Sequence, residues 1–254
     1  MQLRRAHSGF SLVELAIVFA IVALLIGGAM MTLSAQVEQR NGSETLRRLN
    51  AGVDALIAFA IVNGRLPCPA VPGATGDESQ SPAGSGTCTT SYGGFLPAKT
   101  IGFQPTDSSG YAVDAWGNRI RYVVAKTVTG CAGAVNPHFT SQANLKANGV
   151  SCRPSDIDIC LSAAAASLPT SCASPANRAV TSDTVAFIVF STGKNGAVTS
   201  AYGADELANV AGNPVFVSRT PSGSDSTAGT FDDIMVWVPA GVLYSKLISA
   251  GVLP

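Results

Sequence analysis

The sequence is short of charge. Only 13% of its 254 residues are Asp, Glu, Lys or Arg, where ordinary globular chains carry about 25%. The two signs balance at 16 each, and Lys and Arg form no run. Nucleic-acid binding rests on basic side chains that neutralise phosphates, so this balance argues against a nucleic-acid partner. It argues equally against an acidic cation store. Gly, Ser, Thr and Ala fill the places that charges leave, which separates the chain from charged disordered segments. Its 26 Gly and 14 Pro predict short elements and many turns. The length suits one ordinary domain with an appended element, or two small domains.

Catalytic constellations are missing as well. The only histidines are His7 and His138. His138, beside Pro137 and without a motif around it, reads as a surface-loop residue. No G-x-S-x-G is present to join a histidine in a triad. Ser191-x-x-Lys194 has serine–lysine acylation spacing, but the companion S-D-N and K-T-G are absent. Gly193-Lys194-Asn195 lacks the upstream glycine and the following Ser/Thr of a phosphate loop. Asp232 and Asp233 are adjacent; in a strand they would face opposite sides, a poor arrangement for paired acid–base work. The reading is a protein that is not an enzyme.

Six cysteines stand at 68, 88, 131, 152, 160 and 172, and none forms a C-x-x-C pair. Zinc-knuckle and thioredoxin-like spacings are therefore absent. An even count in a Ser/Thr/Gly-rich region reads as disulfides made in an oxidising compartment. Six cysteines allow 15 pairings. Neighbours in sequence are preferred: Cys68 with Cys88, Cys131 with Cys152, Cys160 with Cys172. Buried free thiols in a cytosolic protein are the alternative.

What the chain does have is one long uncharged run. Arg4 and Arg5 precede it, residues 15–37 carry no charge, and residues 15–31 are all apolar or Gly. A helix of about 20 such residues spans the hydrocarbon of a bilayer. The arginines favour a cytoplasmic start, which places everything after Met31 outside the cytoplasm. Glu14 stands just inside this run. A carboxylate deep in lipid costs about 2.5–3.5 kcal/mol on insertion scales, so it calls for a partner. The alternatives are a Glu14 that reaches interfacial water, or a cleaved secretory signal with a poor small-residue site near Ser34-Ala35.

Ser8-Gly9-Phe10-Ser11-Leu12-Val13-Glu14-Leu15 resembles the processing site of type IV prepilins and of the pseudopilins of type II secretion. The resemblance implies a basic leader, residues 1–9, cut after Gly9 by a prepilin peptidase, and N-methylation of Phe10. Glu14 becomes the fifth mature residue, the family's assembly glutamate. Its natural partner is the Phe10 amine of a neighbouring subunit, because each charge is costly alone and tolerable when paired. A buried charge of this kind also sets register, as a polar residue does in coiled coils. Losing the two leader arginines takes the side-chain charge from 0 to −2. The implied partners are other pilin or pseudopilin subunits, an inner-membrane assembly platform and membrane lipid. The implied place is the bacterial inner membrane, crossed once, with a periplasmic C-terminal domain, and then a filament.

The expected fold class is α+β: a long N-terminal helix packed on an antiparallel sheet, with a disulfide-stapled insertion. Residues 10–35 form its membrane and assembly half, 36–63 its amphipathic half, and 64–254 the globular domain. Leu46, Leu49, Val53, Leu56 and Ala60 step by three and four along one helix face. Asn41-Gly42-Ser43 is the weak point, and Asn63-Gly64 stops the helix. Residues 71–94 read as a loop closed by Cys68 and Cys88. Strands are expected at 119–126, 185–191 and 234–238, with 215–219 pairing at an edge. Residues 131–176 are expected to be an irregular insertion, and 241–250 a terminal helix. No βαβ alternation is visible.

Two further stretches resemble pseudopilins. Asp114-Ala115-Trp116-Gly117-Asn118-Arg119 is similar to the D-P-W-G-N segment of major pseudopilins, with Ala115 in place of Pro. Ser191 to Gly196 (STGKNG) and Phe231-Asp232-Asp233-Ile234 are similar to their C-terminal loop, which binds calcium. That makes Asp232 and Asp233 calcium candidates; the alternative is a solvated turn. The size and the cysteine-rich insertion favour a minor or tip subunit. The competing class is a membrane-anchored or secreted binding protein or adhesin outside any filament. Identifying the mature N-terminus by mass spectrometry separates the two: N-methyl-Phe10 is expected, and Gln36 or an uncut Met1 rejects the filament reading.

Overall fold

The computed structural model describes residues 11–73, 75–126, 128–130, 136–163, 171–181 and 183–253, with backbone only at 27–33 and 128–129. Helix α1, Leu12–Asn63, is followed by β1 (Gly94–Phe95), α2 (Ala98–Ile101), β2 (Arg121–Val124) and β3 (Val128–Thr129). Then come α3 (Gln142–Asn148), β4 (Arg153–Pro154), β5 (Asp158–Cys160) and β6 (Val185–Ser191). The chain ends with α4 (Ala204–Val210), β7 (Val215–Val217), β8 (Ile234–Pro239) and α5 (Ala240–Ser249). Two compact units result, Met1–Asn41 and Gly42–Pro254. The α+β class holds, with a mostly antiparallel set of strands.

In the first unit, every residue from 12 to 26 is exposed, with large apolar side chains ranging from Val22 at 43% to Leu12 at 86%. Apolar side chains thus surround the helix on all sides instead of forming a stripe. Among the described residues no helix is long and apolar enough to cross a membrane.

In the second unit α1 is amphipathic. Leu49, Val53, Leu56 and Ala60 are buried in one core with the sheet. Leu46 is not; it is 44% exposed. Thr45 takes the inward place, fully buried, and its Oγ1 accepts a hydrogen bond from Ala115 N at 3.1 Å. A step of four from Thr45 to Leu49 fits the 3.6 period as well as a step of three from Leu46, so spacing could not choose between them. Gly52 also faces inward, where an added Cβ would lie 3.1 Å from Leu96 Cδ2 and 3.8 Å from Val189 Cγ1. The helical backbone continues through Asn41-Gly42-Ser43 and ends at Gly64, in the left-handed conformation with φ 67°.

The main sheet has the order β1-β2-β6-β8, antiparallel throughout. All seven residues of β6 are buried, as an unbroken apolar run requires when both faces are covered. Val189 lies beside Gly52 of α1, whereas Phe190, one residue on and so on the opposite face, meets the Phe216 ring at 5.9 Å. The stretch 215–219 is not an edge of this sheet. β7 pairs in parallel with β5 in a separate ribbon, and β3 pairs with β4 in another. Part of the expected irregular insertion is therefore ordered as α3, β4 and β5.

The β5–β7 ribbon lies between two cores. Phe216 and Ile159 belong to the main core, whereas Val215, Val217 and Cys160 join a second one with Ala163, Cys172, Ala208 and Phe231. Strand alternation assigns neighbouring residues to opposite cores. The Cys160–Cys172 disulfide lies within the second core, and Cys68–Cys88 closes the long loop after α1. Cys152 is also disulfide-bonded; Cys131, its expected partner, lies outside the described residues. Arg219 Nε pairs with Asp205 Oδ2 at 2.6 Å, both side chains nearly buried, and its guanidinium lies over the Phe231 ring. Removing one partner of such a pair costs about 3–5 kcal/mol because the other charge stays buried.

His138 is not on the surface. It is fully buried, 3.0 Å through Nε2 from Tyr244 Oη, and Tyr244 donates to Cys152 O at 2.8 Å. The single Tyr hydrogen is thereby used, so Nε2 carries the proton and donates. Burial pushes the His138 pKa down from 6.5 to about 4. The unfolded chain therefore binds an extra proton between these values, and stability rises with pH across that window. His138→Gln, which cannot titrate, should remove up to about 3 kcal/mol of that rise. Urea unfolding at pH 4 and pH 7 of both proteins measures it.

Candidate functional sites

The N-terminal motif comes first. Gly9 and Phe10 lie outside the described residues, but Ser11 and Glu14 do not. Ser11 Oγ accepts from Glu14 N at 3.2 Å, and Glu14 Oε2 accepts from Ser11 N at 2.9 Å. This reciprocal pair is a capping box at the start of α1. Glu14 thus has a partner in its own helix, which relieves part of the cost that the sequence alone attached to it.

The Asp114 turn links α1 to the loop after β6. Asp114 Oδ1 accepts from Trp116 N and Asn118 N at 2.9 and 2.8 Å, and Oδ2 accepts from Ser191 Oγ at 2.5 Å. Burial pushes the Asp114 pKa upward against these bonds. Gly117 supplies the φ of 87° that the turn needs. Arg48, held by Glu44, donates to Val113 O and Asp114 O at 3.1 and 2.7 Å. Asn118 Nδ2 donates to Gly193 O at 2.7 Å. Ser191 donates to Asp114, which ties the Ser191-x-x-Lys194 segment to the Asp114 turn.

That loop carries one wall of an acidic cluster. Asp232 and Asp233 do not split to opposite faces, because both precede β8. Each contributes an oxygen to a group with Glu206 in which all three lie within 4.8 Å of one another. Glu206 is fully buried and Asp233 is 6% exposed. Glu206 Oε2 caps α4 by accepting from Gly203 N at 2.8 Å and also accepts from Asn195 Nδ2 at 2.9 Å; Oε1 accepts from Asp232 N at 2.8 Å. Asp232 Oδ2 accepts from Asn195 N at 3.2 Å, and Asp233 Oδ2 from Asn209 Nδ2 at 2.7 Å. Gly193 has φ 63°, and a Cβ there would overlap the Asp232 carboxylate.

The cluster is left short of positive charge. Burial, with the neighbouring carboxylates adding to it, raises Asp232 to about 6 and Asp233 to about 8. Oδ1 of Asn195, Asp232 and Asp233 is buried without a hydrogen-bond partner. Buried acceptors of this kind are costly unless something binds them. The donor set is all oxygen, mostly carboxylate, and suits a hard cation such as Ca²⁺. Residues and group therefore fit. Glu206 and Asn195 were missed in the sequence; the available signal was Gly203-x-x-Glu206, a cap with acid in the first helical turn.

Residues 4–30 match the family described as Prokaryotic N-terminal methylation motif. The match supports a type IV pilin-like family on this segment and points to a structural protein. No curated protein and no solved structure matches the chain.

The raised carboxyls give a pH prediction. Between 3.8 and about 8 the folded chain holds the Asp233 proton more tightly than the unfolded chain. Stability in chelator should therefore fall as pH rises through this window, opposite in sign to the His138 effect. Asp233→Asn keeps the Asn209 contact and should flatten the fall, as read by thermal melts from pH 4 to 8 in EGTA.

Proposed function

We propose that the chain is a structural subunit of a type IV pilus-like filament, either a minor pilin or a type II secretion pseudopilin. In this reading prepilin peptidase cuts after Gly9, Phe10 is N-methylated, and residues 10–35 hold the subunit in the inner membrane. Residues 36–63 join this segment to a periplasmic domain, 64–254. An assembly platform then moves the subunit into a bundle of N-terminal helices with other pilin or pseudopilin subunits. The observation that carries the reading is the motif match at residues 4–30. The helix that follows it supports the reading, because its apolar side chains are uncovered on every side. Such a surface calls for lipid or like helices around it.

Glu14 is the assembly residue in this reading. In the lone chain it completes a capping box; in a filament it would turn to the Phe10 amine of a neighbour. The capping box also gives some weight to a second reading, an anchored adhesin outside any filament, since it leaves Glu14 satisfied without a neighbour. In the globular domain, Asn195, Glu206, Asp232 and Asp233 are the residues that would hold calcium. Bound there, it would supply the positive charge that these oxygens lack.

The assembly role is tested by Glu14→Ala. Cleavage after Gly9 should persist, and the variant should fail to enter filaments in cells that carry the assembly machinery, scored by fractionation of sheared filaments. Normal co-assembly would remove Glu14 from the mechanism.

A further inference from the structure

The acidic cluster draws its members from pieces of the fold that belong to different cores. Asn195 follows β6, and Asp232 and Asp233 lead into β8, so three of the four are attached to the main sheet. Glu206 is on α4, whose Ala208 is in the second core. Phe231, adjacent to Asp232, is in that second core as well. The strongest ties of the second core are internal to it: the Cys160–Cys172 disulfide and the Arg219–Asp205 pair. Its links to the main sheet are Ile159 and Phe216, which are buried in the main core, and the hydrogen bonds of Asn209 to Asp233 and of Glu206 to Asp232 and Asn195.

We propose that Glu206, Asp232, Asp233 and Asn195, by sharing one calcium ion, fasten the second core to the main sheet, so that loss of the ion releases α4 and the β5–β7 ribbon while β2, β6 and β8 stay paired. This rests on the calcium reading of the cluster and adds a mechanical role to it. The physical ground is the placement of Glu206. Any opening that lifts α4 away takes Glu206 with it and dismantles the ligand set. Fraying that leaves α4, the loop after β6 and the segment before β8 in place keeps the set whole. A ligand that requires the closed form suppresses only those openings that destroy its site, by the factor 1 + [L]/Kd. The second core is also small, so its own apolar contacts hold it less firmly than the main core is held.

The test is hydrogen exchange on the full-length chain in detergent, with EGTA, with Mg²⁺ and with Ca²⁺, after a Ca²⁺ titration by calorimetry. At calcium about 100 times its Kd, amides of residues 158–163 and 204–217 should exchange about 100-fold more slowly than in EGTA. In EGTA they should exchange faster than amides of 121–124 and 185–191, which open only with the whole fold. Glu206→Gln keeps an acceptor for the α4 cap and should abolish the difference; Asn195→Ala should reduce it if Glu206→Gln fails to fold. Calcium binding with no added protection in 158–163 and 204–217, or exchange there in EGTA no faster than in 121–124 and 185–191, overturns the fastening role and leaves the calcium site standing. Absence of calcium binding removes the site, and the fastening role with it.

Discussion

One helix must satisfy two surroundings, and the rest of the molecule follows from that. From Gly42 to Asn63, α1 offers a single apolar face, and the four-stranded sheet covers it. From Leu12 to Ile26 it offers exposed apolar side chains on every side. A surface of that kind cannot be left to water. The globular unit is built around the first demand. The methylation motif matched at residues 4–30 includes this exposed stretch of the helix.

The loop network turns the helix into a platform for the acidic cluster. Arg48 and Thr45 on α1 grip the Asp114 turn. Asp114 holds Ser191, and Asn118 holds Gly193. Gly193 then leaves the gap that the Asp232 carboxylate fills. Each step is a buried polar group meeting its partner, and the sequence of contacts ends at oxygens that have none. The fold thus spends its hydrogen bonds on positioning a set of acceptors that hydrogen bonds do not complete.

His138 and Asp233 show how burial reverses a reading based on residue type. A lone histidine beside a proline looked like a loop residue because nothing local required it. Its role depends on Tyr244, 106 positions away, and on the carbonyl of Cys152. Two adjacent aspartates looked separated because strand geometry alternates. They lie before the strand begins, and both reach Glu206.

The sequence by itself determined the N-terminal motif, the helix and its stop at Gly64, the three long strands of the sheet and the α+β class. Those features are local: a contiguous spacing, a period, a cap or a β-branched run carries each of them. Tertiary structure alone decided that Thr45 and not Leu46 faces inward, that β7 pairs with β5 in parallel, and that Glu206 and Asn195 join Asp232 and Asp233. These depend on residues far apart in the chain that meet only when the sheet and the second core close. Periodicity could narrow each choice, and packing had to make it.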